Sequence, residues 1–176
     1  LANTNSVAEL IVGLMLDISR NIAACDARIR GEGFACIAPP EMTGIELTGK
    51  TVGLVGMGNI ARRMGEILRN GFGVRLVGYD PYCSEEQAAF WGIRKYDDLN
   101  SMLEASDFVN ISVPLTPSTM NMISEENFNH FRKNAVLINA ARGGVVNEDD
   151  LYHALKERRL RAAACDAFVE EPPRGT

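Results

Sequence analysis

A doubly wound parallel α/β sheet in a single domain is the fold class this sequence predicts, and three observations predict it. Short apolar, β-branched runs alternate with amphipathic helical stretches along the chain. One such run, Thr51 to Val55, leads into the glycine turn Gly56-Met57-Gly58 and then into a helix. Four run ends carry polar groups, at Asp80, Ser112 to Thr119, Asn139 to Gly143 and Asp166. Ligands of open parallel sheets lie beyond such carboxyl ends.

The elements follow in order. Ser6 to Glu9 has the form of a capping box, and Val7, Leu10, Ile11, Leu14, Ile18 and Ile22 recur behind it at helical steps. This predicts one long helix over residues 6–30. It serves either as a core helix or as an interdomain and dimer-contact helix. Gly31 to Thr43, with Pro39-Pro40, reads as an exposed crossing loop. Phe34 within it is either a contact to a partner subunit or a local anchor. Thr51 to Val55 is a buried strand, Asn59 to Asn70 a helix with Ile60, Met64, Ile67 and Leu68 on one face, and Val74 to Tyr79 the next strand. A short helix over 84–91, a short strand over 93–95 and a helix over 97–105 come next. Phe108 to Val113 is a strand that stops at Pro114. Residues 124–131 are helical, Ala135 to Asn139 is a fully buried strand, Asn147 caps a helix running to about Arg158, and Leu160 to Asp166 is the last strand.

Strand, glycine turn, helix, strand and acid together form a dinucleotide-binding fingerprint. Gly56 makes the tight turn. Gly58 lets the backbone approach a pyrophosphate, and the free N–H groups at the helix start face that anion. Ala61 takes the third glycine position, where the demand is close packing of helix on strand. Asp80, at the end of the second strand, suits both hydroxyls of an adenosine ribose and repels a 2′-phosphate, so it favours NAD over NADP. Pro81 follows it.

Composition narrows the alternatives. The chain has 176 residues, 46% hydrophobic and 23% charged, with net charge −5. This balance suits a globular domain and argues against a general nucleic-acid or anionic-membrane surface. No apolar run approaches a membrane span, and no signal peptide is read. Cys25, Cys36, Cys83 and Cys165 lack CxxC or zinc-type spacing, so reduced thiols in a cytoplasmic protein are expected and a metal site is not.

Five stretches carry a family resemblance: NTNSVAEL from Asn3, GKTVGLVGMG from Gly49, VPLTPST from Val113, INAARGGVV from Ile138 and DAFVEEPP from Asp166. They resemble the D-isomer-specific 2-hydroxyacid dehydrogenases, nearest to their phosphoglycerate dehydrogenase-like branch. The resemblance spans nearly the whole chain and implies a Rossmann NAD-binding domain over residues 1–176. It places Asn59 and Ile60 at the pyrophosphate, and Val113, Pro114 and Thr119 on the adenine side and bridging phosphates. Ala140, Ala141 and Arg142 fall at the nicotinamide end, and Asp166 on the carboxamide. It makes Arg142 the residue that holds a small 2-hydroxy or 2-oxo acid by its carboxylate, and Glu171 the partner of a catalytic histidine. It also implies a homodimer.

Three departures accompany it. The family's histidine falls beyond Thr176, while His130 and His153 read as ordinary helix residues. The substrate domain that flanks the cofactor domain is missing on both sides, so the chain reads as a fragment that binds NAD(H) without turnover. Ser112 stands where the family often has histidine. Two other functions share these features: an NAD(H)-sensing, corepressor-like interaction module, and a formate or phosphite dehydrogenase.

Overall fold

The computed structural model describes residues 3–32 and 42–173. The element order is α1 (Thr4–Arg20), α2 (Ile22–Glu32), β1 (Thr51–Val55), α3 (Asn59–Phe72), β2 (Arg75–Tyr79), α4 (Glu85–Phe90) and β3 (Arg94–Tyr96). It continues with α5 (Leu99–Glu104), β4 (Phe108–Ile111), α6 (Glu125–Phe128), β5 (Val136–Asn139), α7 (Glu148–Lys156) and β6 (Ala162–Cys165).

The strands form one six-stranded sheet in the order β3-β2-β1-β4-β5-β6. Every pairing is parallel, with Val52 opposite Leu76 on one side and Phe108 on the other. The order reverses between β1 and β4, which opens a crevice at their carboxyl ends.

Strand alternation builds two cores. Val52, Leu54, Phe108, Val136 and Ile138 point to one face, where they meet Ala8, Met15, Ala61, Met64 and Leu68 of α1 and α3. Val55, Val109, Ile111 and Leu137 point to the other, against Met102 and Leu103 of α5 and Leu151 and Ala154 of α7. The doubly wound architecture is therefore as predicted, and Ala61, fully buried, serves the packing role expected of it.

Side chains start several helices. Ser84 and Gln87 form a reciprocal capping box at α4. The Asp98 carboxylate accepts from Ser101 N–H at 2.7 Å at α5, and Asn147 Oδ1 accepts from Asp150 N–H at 3.0 Å at α7.

The N-terminal helix departs from expectation. It is two helices, not one over 6–30. Asn21 lies between them with φ of 54°, its N–H bonded to the Asp17 carbonyl. Its side-chain amide donates to the Met42 carbonyl at 2.9 Å, and Asp17 Oδ1 accepts from Ala23 N–H at 2.8 Å to start α2. Asparagine tolerates the left-handed conformation better than most residues, and the long-range bond holds it there. The expected capping box also fails. The helix begins at Thr4 with Asn3 at its N-cap, and Ser6 Oγ donates back to the Asn3 carbonyl at 3.1 Å. Residues 33–41, with Phe34, Cys36 and the proline pair, lie outside the described residues. The helix expected over 124–131 is a four-residue α6, and His130 falls in the turn after it.

Candidate functional site

The glycine turn sits at the β1–β4 crevice. Gly56 takes φ of 88° and donates its N–H to the Tyr79 carbonyl at 2.8 Å. A Cβ there would stand 2.7 Å from Val113 Cγ1 and 2.8 Å from the Ser112 carbonyl oxygen. Two strand ends thus close on one residue without a side chain. Gly58 is the N-cap of α3, with no side-chain hydrogen bond capping the first turn, and no atom lies within 4 Å of where its Cβ would stand. That helix start offers unclaimed N–H groups beside open space, which fits a pyrophosphate.

Asp80 closes this turn from β2. Its Oδ2 accepts from Met57 N–H at 2.9 Å, inside the glycine turn, and its Oδ1 accepts from Tyr82 N–H at 2.9 Å. A carboxylate has about four lone-pair sites, so two remain for ribose hydroxyls. Half-buried, Asp80 is both a structural clasp and an exposed acceptor.

A cleft of about 300 Å³ adjoins the turn. Val7 and Ile11 of α1 and Ile60 of α3 form one wall. Ser112, Val113 and Pro114 after β4 form a second, and Ala140, Ala141 and Arg142 after β5 a third. Six of the residues predicted from sequence converge here. The cleft is mostly apolar with a few polar groups, as a flat aromatic ring with one amide requires. Ser112 Oγ accepts from Asn110 Nδ2 at 2.6 Å, so its own proton is free to point elsewhere.

Gly56, Gly58, Asn59 and Asp80 belong to the turn beside this cleft, and three further predicted residues stand apart from its walls. Thr119 Oγ1 donates to the Pro114 carbonyl at 2.6 Å and accepts from Thr116 N–H at 2.8 Å, so it shapes the loop that carries Pro114. Asp166 is exposed just past β6, its N–H bonded to the Asn139 carbonyl at 2.9 Å. Glu171 is exposed, and its Oε1 accepts from Phe168 N–H at 3.1 Å.

Arg142 is exposed and donates from Nη1 to the Ala141 carbonyl at 2.6 Å. Its turn is held by Asn139, which is 3% exposed. That amide donates from Nδ2 to the Arg142 carbonyl at 3.1 Å and accepts from Ala141 N–H at 3.2 Å.

Three residues support the site in ways the sequence did not show: Asn139 and Gly143, read only as parts of a polar run end, and Glu148. Asn139 is one; a polar residue ending an otherwise apolar buried strand was its signal. Gly143 is the second: a Cβ there would stand 2.0 Å from the Phe168 carbonyl oxygen. The Arg142 turn and the 166–171 segment therefore touch backbone to backbone, at Gly143 and Phe168. Glu148 is the third, its Oε1 accepting from Val169 N–H at 2.7 Å. Nothing local to residues 143 and 148 signals these long-range contacts.

Neither histidine joins the site: His130 Nδ1 contacts Glu104 Oε1 at 2.6 Å, and His153 stacks edge-on with Tyr152 in α7.

Burial at the end of β6 pushes the Cys165 thiol from 9.0 up to about 11, with the nearby Glu148 carboxylate adding to the rise. The sign is that of an acid whose neutral form the fold favours. Stability from this group is full below the unfolded value and is lost as pH climbs through the folded one. At pH 8 the thiolate fraction is about a hundredfold below that of a free thiol, and alkylation depends on thiolate. Iodoacetamide labelling followed by mass spectrometry is expected to leave Cys165 unmodified on a timescale that fully alkylates it in urea. Equal rates in the two conditions would contradict this.

Comparison with known proteins agrees with this geometry. The family profile described as D-isomer specific 2-hydroxyacid dehydrogenase, NAD binding domain, matches residues 12–176. The chain is 44% identical over 174 residues to a D-3-phosphoglycerate dehydrogenase of Methanocaldococcus jannaschii, covering 98% of this chain and 32% of the relative. It is 41% identical over 170 residues to a glyoxylate reductase of Thermofilum pendens, covering 96% and 50%. Among solved structures it resembles the NAD-complexed form of a D-isomer specific 2-hydroxyacid dehydrogenase from Lactobacillus delbrueckii ssp. bulgaricus. There the TM-score is 0.85 at 29% identity, over 97% of this chain and 51% of that one. The chain thus spans a third to a half of these relatives.

Proposed function

From a chain that belongs to the NAD-binding domains of the D-isomer-specific 2-hydroxyacid dehydrogenases, we propose a role in oxidoreduction between NAD(H) and a small D-2-hydroxy or 2-oxo acid. The cofactor, when bound, supplies or accepts the hydride at its nicotinamide ring. The chain's own residues bind and orient. The first turn of α3, at Asn59 and Ile60 behind Gly56 and Gly58, holds the pyrophosphate. Asp80 takes the adenosine ribose. Val113, Pro114 and the Thr119-shaped loop take the bridging phosphates and adenine side, and Ala140 and Ala141 the nicotinamide. Asp166 orients the carboxamide.

Arg142 is the substrate residue. Its planar fork matches a carboxylate and keeps its charge at every working pH, so it both holds the acid and draws electron density from the carbonyl being reduced. Glu171 is the carboxylate that raises the pKa of a general-acid histidine supplied from outside residues 1–176. A substrate lobe, also outside these residues, completes the enzyme. The observation that carries this reading is the convergence of Ile60, Val113, Ala140, Ala141 and Arg142 on one cleft beside a glycine turn clasped by Asp80.

The test is cofactor discrimination. Calorimetric titration is expected to give micromolar NADH binding and far weaker NADPH binding. Asp80→Asn removes the charge and keeps only one of the two acceptors that hold the Met57 and Tyr82 N–H groups, and charged hydrogen bonds contribute about 1.5–3 kcal/mol each. The variant is expected to lose about tenfold or more in NADH affinity, with the NADH-to-NADPH ratio falling toward one. An unchanged ratio would remove Asp80 from its role.

We assign the protein to the cytoplasm as a homodimer. Three described cysteines are free thiols, and among the described residues no helix is long and apolar enough to cross a membrane. Leu10, Ile22 and Ile29 of α1 and α2 are 39%, 55% and 50% exposed, a run of large apolar side chains that a second copy would cover. Sedimentation equilibrium at high concentration is expected to give twice the chain mass; a monomer there counts against this assignment.

A further inference from the structure

We propose that the amino-terminal edge of the sheet, at the far end of β1 and β2 from the dinucleotide site, holds a second anion site for a small, multiply charged oxyanion such as a phosphate monoester or pyrophosphate. A cleft of about 580 Å³ opens there, a size suited to a small metabolite. Four arginines from separate elements line it: Arg69 near the end of α3, Arg75 starting β2, Arg94 starting β3, and Arg132 ahead of β5. Among the described residues no aspartate or glutamate lines it.

The arginines have little to neutralise them. Arg69 Nη1 donates to the Trp91 carbonyl at 2.9 Å. Arg75 donates from Nε and Nη2 to Thr51 Oγ1 at 3.3 and 3.2 Å. Arg94 lies over the Tyr96 ring at 5.2 Å. These partners are a carbonyl, a hydroxyl and a ring face, all neutral. Among the described residues only Arg132 of the four pairs with a carboxylate, Asp107 Oδ1 at 2.9 Å. In a chain of net charge −5, Arg69, Arg75 and Arg94 line this cleft with no carboxylate contact among the described residues, while the Asp107 carboxylate, which holds Arg132 Nη1 and the Thr51 N–H, stands at its margin. Four guanidinium charges against one carboxylate leave a local positive potential. The contacts also orient the forks, which lowers the entropic cost of binding.

Each of β1 and β2 runs five residues from this cleft to the cofactor turn, roughly 16 Å at strand rise. An anion in the cleft therefore does not occupy the dinucleotide's place. Charge and geometry select the chemistry: planar forks pair bidentately with phosphate oxygens, and several forks favour a ligand with more than one negative charge.

The test is an NMR titration of the full chain with inorganic pyrophosphate, matched in ionic strength by a chloride control. Saturable shifts are expected at the amides of Arg75, Gly92, Arg94 and Tyr96. Arg75→Gln/Arg94→Gln changes two exposed side chains and is expected to keep the wild-type melting temperature. It is expected to weaken these shifts about tenfold or more while leaving any perturbation of residues 57–61 unchanged. Shifts confined to residues 57–61, shifts that never saturate or that chloride reproduces, or a double variant that binds as well as wild type would each overturn the proposal.

Discussion

Gly56→Ala is expected to fold and yet lose most of its NADH affinity. Two costs act at this position. The backbone φ of 88° lies where an L-residue is strained by about 1–2 kcal/mol. The added Cβ would also stand 2.7 Å from Val113 Cγ1 and 2.8 Å from the Ser112 carbonyl oxygen. Relief requires the end of β4 to move away from the end of β1, which widens the crevice beside the glycine turn and shifts Val113 in the adjoining cleft. Unfolding in urea is expected to show a stability loss of about 2 kcal/mol, which a domain of ordinary stability survives. Calorimetry is expected to show an NADH affinity lower by about tenfold or more, since each hydrogen bond to a charged group that the displaced turn loses contributes about 1.5–3 kcal/mol. Wild-type affinity in a folded Gly56→Ala protein would mean that the turn does not bind the cofactor.

The largest loss of stability is expected from Phe108→Ala. Phe108 is fully buried in the centre of the sheet, opposite Val52 on β1 and Val136 on β5, facing the core beneath α1 and α3. Removing a buried phenyl ring costs about 3–5 kcal/mol, the spread reflecting how far the cavity collapses. That is a large share of a typical total of about 5–15 kcal/mol. Phe108 starts β4, away from its ligand-facing end. NADH affinity measured well below the unfolding transition is therefore expected to stay within about threefold of wild type. Together the two variants separate the site from its scaffold: one loses binding with modest destabilisation, the other the reverse. A Phe108→Ala protein as stable as wild type would mean that the core is not packed as described.

Most of the fold was legible because it is written in short-range patterns. The buried strands β1 and β5 are short, largely apolar runs, and the glycine turn has a chemical signature that needs no tertiary context. The cap at Asn147 is local too. The break at Asn21 was hidden, because the apolar spacing continues through Ile18 and Ile22 while the interruption is fixed by a bond to Met42. The site divides the same way. Gly56, Gly58 and Asp80 were readable from spacing, and Arg142 from its resemblance. What holds Arg142 was not readable. Gly143 is required by a backbone 25 residues onward at Phe168, and Glu148 by the Val169 N–H. Contacts of that separation leave no periodic trace.

The buried amide of Asn139 carries one further consequence. It gives a hydrogen to the Arg142 carbonyl with one end and takes one from Ala141 N–H with the other. Aspartate has the same shape but only acceptors, so it would set a negative oxygen against a carbonyl in a pocket closed to water. Leucine has the size and neither function. The position therefore discriminates between isosteres by polarity alone. A one-atom change, amide nitrogen to oxygen, would abolish the hydrogen bond to the Arg142 carbonyl on which the arginine's turn depends and leave two acceptors facing each other, with the sheet's apolar packing untouched.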